Sequence, residues 1–383
     1  MKVLVVQPTV PHYRAAFFRG VADRLDGQLF IQASAKIPGG PDSVPSRTLP
    51  NVNCDLDRGL IAFRTNTLYW QKGLSLKGFG LGDVLFVAGN PRFLNIFPLI
   101  VRARLKGIGV IIQGHGWSSS SRALSARIRH ALWRLGDVLF LYTDEERTQF
   151  IENGFAPDRV FAANNTIGTD DIKQALAEWP MERLTGFKQE QGLGQDAPLL
   201  LFCGRLTAKA ELHVLFDALT KLRHIVPQVR LAIVGKGPLE SVLRGQAIQL
   251  GLEKTVIWLG EIHDERQLAP WFLTARLFVY PGAIGLSLLH AFNYGLPVVT
   301  HDQMRQHNPE IAALKPGING AVYPRDNAEA LADCLQHLLS SEKVVKAMGA
   351  AALHTVQTRF STEMMVDRFI EAVQTAHRLV TCP

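Results

Sequence analysis

Four glycine-bearing turns in the second half of this chain join backbone freedom to basic side chains in a way that suits an anionic ligand. In CGRL (203–206), Gly204 permits a tight turn, and Arg205 follows at a strand end with a fork of donors that matches a phosphate. Lys209 stands four residues further on. A surface salt bridge is the plainer use of such an arginine. In VGKGPLE (234–240), Gly235 and Gly237 open a helix whose first amides would face an anion, or they form an ordinary glycine-rich turn. The spacing is neither GxGxxG nor a P-loop. In YPGAIGLSLLHAFNYGLPVVT (280–300), Gly282 and Gly285 precede a helix. The amides of Leu286 and Ser287 then have no partner within that helix and point outward, as an anion site requires. Gly295 and Pro297 stop the helix before the next strand. In NPEIAALKPGINGAVYP (308–324), Glu310 begins a short helix and Gly320 is expected in a turn.

The first half offers different chemistry. His115 sits between two glycines after a strand, which suits a contact with substrate as well as a structural role. His12, Tyr13 and Arg14 begin the first helix, where they are candidates for an acceptor contact or a helix cap. Arg122, Arg127, Arg129, His130 and Arg134 decorate a helix over 124–135 whose other face is apolar. That pattern fits an acidic bilayer face, and equally a solvated helix. Asp144, Glu145, Glu146, Asp170 and Asp171 read as helix-start acids, not as a metal-binding pair. No metal is expected.

The elements that must position these residues alternate. Short β-branched runs at 3–6, 83–89, 109–114, 137–143 and 159–166 are separated by helical spacing. The same alternation returns with strands at 198–206, 230–238, 256–260, 277–282 and 296–300. Such βαβ order means parallel sheets covered by helices on both faces. The expected organisation is a first Rossmann-like domain over 1–180, a polar linker over 181–197, a second Rossmann-like domain over 198–360, and a tail helix over 361–383 packing back on the first domain. Ligands of such sheets lie outside the carboxyl ends of the strands, so a cleft between two facing domains is the expected site.

Composition narrows the class. The chain has 383 residues, enough for two domains, with 47% hydrophobic and 20% charged residues. Its four cysteines are scattered without a CxxC or Cys/His cluster, which argues against a zinc site and a disulfide framework. No apolar stretch reaches the roughly 18 residues of a spanning helix, and the opening MKVLVVQP has no leader pattern, so a cytoplasmic setting is expected. The net charge of +7 suits anionic partners. The basic residues are not interleaved with aromatics in one stripe, so nucleic acid is not an expected partner.

Taken in order, GRL, VGxGP, a WLG strand, PGxxGL with its helix and YGLPVVT, and PEI with GxNG resemble the retaining GT-B glycosyltransferases of the family-four type, which assemble bacterial polysaccharides and lipid-linked glycans. The likeness covers the C-terminal half; VVQPTVPHYRAAFF (5–18), GHG (114–116) and Asn164–Asn165–Thr166 extend it more loosely to the N-terminal half. The resemblance implies a GT-B fold and transfer of a sugar from a nucleotide-sugar donor to a glycan or lipid-linked glycan, with neither cofactor nor metal. It implies that Arg205 and Lys209 hold the donor diphosphate, helped by Gly204, Gly235, Gly237 and the amides after Gly285. Gly260 to His263, including Ile262, would meet the nucleotide base. His115 would approach the sugar, and His12, Tyr13, Arg14 and Asn165 the acceptor. An acidic membrane surface, at the inner face, is a further candidate partner.

Two positions depart from the family pattern. Its E-x7-E falls here on Gly282 and His290, with His290 standing where a carboxylate normally binds ribose hydroxyls. The family lysine after GRL aligns with Ala210, not with Lys209. These departures keep open the reading of a nucleotide-sugar binder without turnover; the other alternative, a GT-B-fold sugar-nucleotide epimerase, would require cleft carboxylates for proton transfer, and the replaced glutamates argue against it.

Overall fold

The computed structural model of the protein describes every residue except Gly39, 64–67, 116–130, 195–196 and Pro383. The chain is α/β and forms two Rossmann-like units, residues 1–168 with 361–383, and residues 169–360.

The first unit holds a parallel sheet of order β3-β2-β1-β6-β7-β8-β9. Its strands are β1 Val3–Val6, β2 Leu29–Gln32, β3 Asn53–Asp55, β6 Val84–Ala88, β7 Gly109–Gly114, β8 Val138–Leu141 and β9 Val160–Ala162. An antiparallel hairpin, β4 Leu60–Phe63 with β5 Leu68–Gln71, stands apart from it. Strand residues alternate between two cores, as the period of two requires. Val3, Val5, Phe86 and Phe140 turn to one face, where they meet Phe17. Leu4, Val6, Leu85 and Val87 turn to the other, with Trp133 and Phe150. Both faces are therefore covered, which is why the strands read as continuous apolar runs.

The helix Thr362–Thr381 belongs to this first unit. Phe369 is fully buried, with its ring 5.4 Å from Phe17, 5.0 Å from Phe86 and 5.9 Å from Phe140. Ser361 caps the helix by accepting from the Met364 amide. Arg368 donates to the Ala162 carbonyl at 3.3 Å, which ties the helix to β9.

The second unit holds a sheet of order β12-β11-β10-β13-β14-β15. Its strands are β10 Leu199–Cys203, β11 Arg230–Val234, β12 Val256–Gly260, β13 Leu277–Val279, β14 Val298–His301 and β15 Gly320–Tyr323. All pairings are parallel, so the carboxyl ends share one edge. Strand order reverses between β10 and β13, and this switch point is where open α/β sheets bind ligands.

Three features differ from the sequence expectations. Residues 181–197 are not a linker: Met181–Glu190 is helical and packs inside the second unit. Phe187 lies 5.0 Å from Trp271, and the Trp179 indole donates to the Arg266 carbonyl at 2.9 Å. These apolar contacts place the division at Gly168–Thr169 instead of residue 180. Gly320 opens β15, paired with Val298 of β14, and is not in a turn; glycine is required there because a Cβ would lie 2.3 Å from the Val298 carbonyl oxygen. The basic helix expected over 124–135, with Arg122, Arg127, Arg129 and His130, lies outside the described residues up to position 130; beyond it Leu132 and Trp133 are buried and Arg134 is exposed.

Candidate functional site

In the second unit, the glycine turns are packed backbone to backbone along the carboxyl edge. Gly204 donates its amide to the Val234 carbonyl, and Gly235 donates to Gly260 at 2.7 Å. A Cβ on Gly235 would fall 1.9 Å from the Gly204 carbonyl oxygen, and one on Gly237 would fall 2.2 Å from that of Leu206. These amides and glycines are therefore used to bring the ends of β10, β11 and β12 together; the amides of Gly204 and Gly235 are not offered to an anion. Gly260, at φ +69, closes β12, and the half-buried Ile262 follows it.

Arg205 emerges from this packing at the end of β10. It is exposed, and its guanidinium has no hydrogen bond or ion pair among the described residues. Lys209 is exposed too, while its carbonyl accepts from the Ala283 amide at 3.0 Å. Ala210 is fully buried. Gly282 presses on this segment so closely that a Cβ would lie 2.0 Å from the Lys209 carbonyl oxygen. No side chain fits at position 282 with the turn in this arrangement, which is the physical reason for glycine there.

The helix Leu286–Asn293 starts directly across the switch point, with Gly285 as its N-cap and no side-chain cap. Gly285, Leu286 and Ser287 are partly exposed, and the first amides of a helix have no partner within it. A clamp from the following loop fixes this start. Ile284 donates its amide to His307 Nδ1 at 3.2 Å, and the Asn308 amide donates to the Ile284 carbonyl at 3.0 Å. His307 stacks on His301 at 3.9 Å between centroids, and His307 Nε2 lies 3.0 Å from the His301 carbonyl oxygen. Burial, with the Arg325 charge behind it, lowers both imidazoles to about 4, so both are neutral at pH 7. A neutral His307 keeps Nδ1 as an acceptor.

His290 projects from the same helix and meets Glu265, with Nε2 2.8 Å from Oε1. The Tyr294 hydroxyl donates to that same oxygen at 2.5 Å. Burial pushes the Glu265 carboxyl up, but the bonds from His290 and Tyr294 outweigh it and hold the group ionised. The nearby Cys203 thiol is pushed up to about 12 by burial and by the Glu265 charge, which leaves it protonated and without nucleophilic character.

In the first unit, a second cluster lies at the carboxyl ends of β1, β7, β8 and β9. The His115 ring stacks on Tyr142 at 4.3 Å, and its Nδ1 is 3.4 Å from Glu146 Oε1. Glu146 is buried and accepts from the Tyr142 amide at 3.0 Å, while its own amide donates to Thr143 Oγ1. This capping pair turns the carboxylate inward, beneath the imidazole. Arg14 is 8% exposed and lies 5.9 Å over the other neighbour of His115, the Tyr142 ring. Tyr13 is half-buried and His12 exposed; both belong to a short 3-10 turn, not to the α-helix that follows at Ala15–Arg24. Asn165 is buried beside Asn164, whose φ of +46 turns its amide to donate to Asp144 at 2.8 Å.

The structure thus gathers Arg205, Lys209, Gly282, Gly285, Leu286 and Ser287 at one switch point, and Arg14, Tyr142 and His115 at the other sheet's edge. Sequence reasoning passed over Glu265, Tyr294, His307 and Glu146 as site residues. Only Glu146 had a local signal, the T-x-x-E spacing from Thr143. Among the described residues, no three His, Cys, Asp or Glu side chains are placed to share a metal ion.

Comparison with known proteins bears on both units. The family model of the group 1 glycosyl transferases matches residues 185–355. A GDP-mannose-dependent α-(1-6)-phosphatidylinositol monomannoside mannosyltransferase of Mycolicibacterium smegmatis is 28% identical over 309 residues, covering 77% of this chain and 75% of its own. The O-antigen chain mannosyltransferase C of Escherichia coli is 27% identical over 185 residues, 46% of each chain. Among solved structures, Anabaena HepE in complex with UDP superposes with a TM-score of 0.69 at 16% identity, over 98% of this chain and all of its own. A Rickettsia africae glycosyltransferase does so with a TM-score of 0.72 at 15% identity, over 100% of this chain and 98% of its own. At such identity, the likeness to the two structures is one of fold.

Proposed function

We propose that this chain is a GT-B glycosyltransferase of the kind that serves bacterial glycan assembly, and that it moves a sugar from a nucleotide sugar to a glycan or lipid-linked glycan, with retention and without a metal; the family match, the mannosyltransferase relative and the fold support this reading. The observation that carries the reading is the switch point between β10 and β13, where the turn carrying Arg205 and Lys209 is bonded, through the Lys209 carbonyl, to the Ala283 amide just before the helix Leu286–Asn293, and where the Arg205 guanidinium has no partner among the described residues.

Negative charge builds on the leaving diphosphate as the glycosidic bond breaks. Arg205, Lys209 and the amides of Leu286 and Ser287 stabilise that charge, in the role a metal ion plays elsewhere. The first unit contributes His115 toward the sugar, held by Glu146 and Tyr142, and the His12–Arg14 turn and Asn165 toward the acceptor. In this reading the incoming hydroxyl gives its proton to the departing diphosphate on the same face of the sugar, so no enzyme carboxylate is required as nucleophile. Ile262 and its neighbours at the end of β12 face the base, and His290 faces the ribose.

The names of relatives divide between GDP-linked and UDP-linked ligands, so the test uses both. The protein is incubated with UDP- and GDP-sugars and a panel of glycan acceptors, with EDTA and with magnesium. Transfer that persists in EDTA, with the donor's anomeric configuration retained in the product by NMR, is the expected result. Inverted product, or activity abolished by EDTA, overturns the mechanism. A lipid-linked acceptor would also bring the protein to the acidic inner face of a membrane. Among the described residues, no helix is long and apolar enough to cross one.

A further inference from the structure

The helix start at Leu286 has no side chain of its own to hold it. Its N-cap is Gly285, which makes no side-chain bond to the helix. For the Leu286 and Ser287 amides to face one point, the peptide groups ahead of them must be aimed, and a glycine leaves that aim free. The restraint comes from the loop after β14. His307 Nδ1 accepts from the Ile284 amide at 3.2 Å. The Ile284 carbonyl accepts from the Asn308 backbone amide at 3.0 Å and from its side-chain amide at 3.3 Å. Residue 284 therefore has both of its backbone groups bonded to the same short stretch. That stretch also lies against the cap, since a Cβ on Gly285 would meet Asn308 Nδ2 at 2.9 Å.

His307 is itself fixed from several sides. It is 7% exposed and stacks on His301, whose Nδ1 accepts from the Gln303 amide at 3.1 Å. His307 Nε2 faces the His301 carbonyl, which can only accept, so Nε2 carries the proton and Nδ1 the lone pair. This is the tautomer that can receive the Ile284 amide. The charged groups that face the ring are Arg325 and Glu211, and burial with the Arg325 charge keeps it neutral. Gln306, one residue before, accepts from Arg325, whose guanidinium also pairs with Glu211. Glu211 is left-handed, at φ +50, and directly follows the turn of Lys209 and Ala210. One loop thus reaches both sides of the switch point: the Lys209 turn through Arg325, and the helix start through His307.

We infer that His307 is a positioning residue for the donor diphosphate: by accepting the Ile284 amide it holds the Gly285 turn so that the Leu286 and Ser287 amides face the ligand. The inference rests on the reading of that helix start as the diphosphate site. It acts through the backbone of residues 284–287, by aim and not by contact.

Two substitutions divide the ring from the acceptor. His307→Phe keeps an aromatic ring to stack on His301 and has no acceptor. His307→Asn gives up the ring but carries an amide oxygen in place of Nδ1 as acceptor. Isothermal titration of the full chain with UDP and with GDP at pH 7.5 is the measurement, with Arg205→Ala beside it. His307→Phe is expected to bind roughly tenfold more weakly, the equivalent of one charge-assisted hydrogen bond. His307→Asn is expected to stay within about threefold of wild type. A side chain that serves packing alone gives the opposite order, with affinity following the ring. Unchanged affinity in His307→Phe, equal loss in both variants, or loss in His307→Asn alone overturns the inference. Should either variant fail to fold, nitrogen-15 NMR of the wild-type histidines decides: the Nε2–H tautomer of His307 is expected both free and with UDP bound, and an Nδ1–H tautomer or an imidazolium at pH 7.5 overturns the inference. Weaker binding in Arg205→Ala with unchanged binding in His307→Phe overturns the inference and leaves the diphosphate reading standing. Wild type that binds neither UDP nor GDP overturns that reading, and the inference with it.

Discussion

Arg205→Ala is expected to separate nucleotide binding from fold. The guanidinium is exposed and has no partner among the described residues. The turn beneath it is built from backbone: the Arg205 carbonyl accepts from Thr207 at 2.9 Å, and Leu206 exchanges bonds with Lys236 and Leu239 at 3.0 and 3.2 Å. Truncating the side chain leaves all three bonds in place. Stability is therefore expected to change by no more than about 0.5 kcal/mol, the range of surface substitutions. Binding is different, because charged hydrogen bonds to a diphosphate contribute about 1.5–3 kcal/mol. At about 1.4 kcal/mol per decade, the nucleoside diphosphate should bind roughly 10- to 150-fold more weakly. Arg205→Lys keeps the charge and loses the fork, so it should fall between the two. Isothermal titration of wild type and both variants with UDP and GDP, beside thermal melts without ligand, reads both quantities. An unchanged Kd in Arg205→Ala refutes the diphosphate assignment. A fall in melting temperature as large as the loss of affinity refutes the claim that the side chain is structurally idle.

Three further outcomes follow from the same geometry. Gly282→Ala places a Cβ 2.0 Å from the Lys209 carbonyl oxygen and 2.8 Å from the Ala210 carbonyl carbon; it should destabilise the protein by about 1–3 kcal/mol, and an unchanged urea midpoint would count against this packing. Burial and the Arg325 charge hold His301 and His307 near 4, below the unfolded value of 6.5, so between these pH values the unfolded chain binds more protons. The contribution of the two imidazoles to stability is then constant above pH 6.5 and falls as pH drops toward 4, by up to about 1.4 kcal/mol per pH unit for each, and denaturation from pH 7 to 4.5 should show that slope shrink in His301→Asn. Phe369→Ala removes the ring that Phe17, Phe86 and Phe140 enclose and should cost about 3–5 kcal/mol, read as an early melting transition of the first unit.

How far the sequence foretells this architecture depends on where the controlling contact lies. Strands β1, β6, β7, β10 and β11 were legible because both sheet faces are covered, which makes each an unbroken apolar run. The edge strand β3 and the hairpin are short and half exposed, so their residues carry no such signature. The helix Glu265–Thr274 contains Pro270, and Met181–Glu190 contains Gly186; either residue argues against a helix when only local preference is weighed. Arg205 and the helix start at Leu286 were legible as strand-end turns. His307 was not, because its part is to accept one amide hydrogen 23 residues back in the chain, from Ile284. Nothing in local spacing announces a bond of that range.

The two departures from the E-x7-E pattern have unlike causes, and the structure separates them. At 282 the carboxylate is excluded by space: the backbone of Lys209 and Ala210 occupies the volume a side chain would need. That crowding also draws the Lys209 carbonyl onto the Ala283 amide, which fixes the turn carrying Lys209 beside the helix start. At 290 the position is an imidazole with a carboxylate against it. Glu265, from a neighbouring helix, reaches His290 at 2.8 Å, and Tyr294 braces the same oxygen. With Nε2 given to Glu265, the imidazole is left with Nδ1 as its second polar atom, oriented by an ionised partner that burial alone would not permit. The pair keeps a negative charge close to position 290 and adds a ring that can accept from a hydroxyl. Residue-by-residue comparison along the sequence registers both positions alike as missing glutamates; only the contacts at 209 and 265 tell them apart.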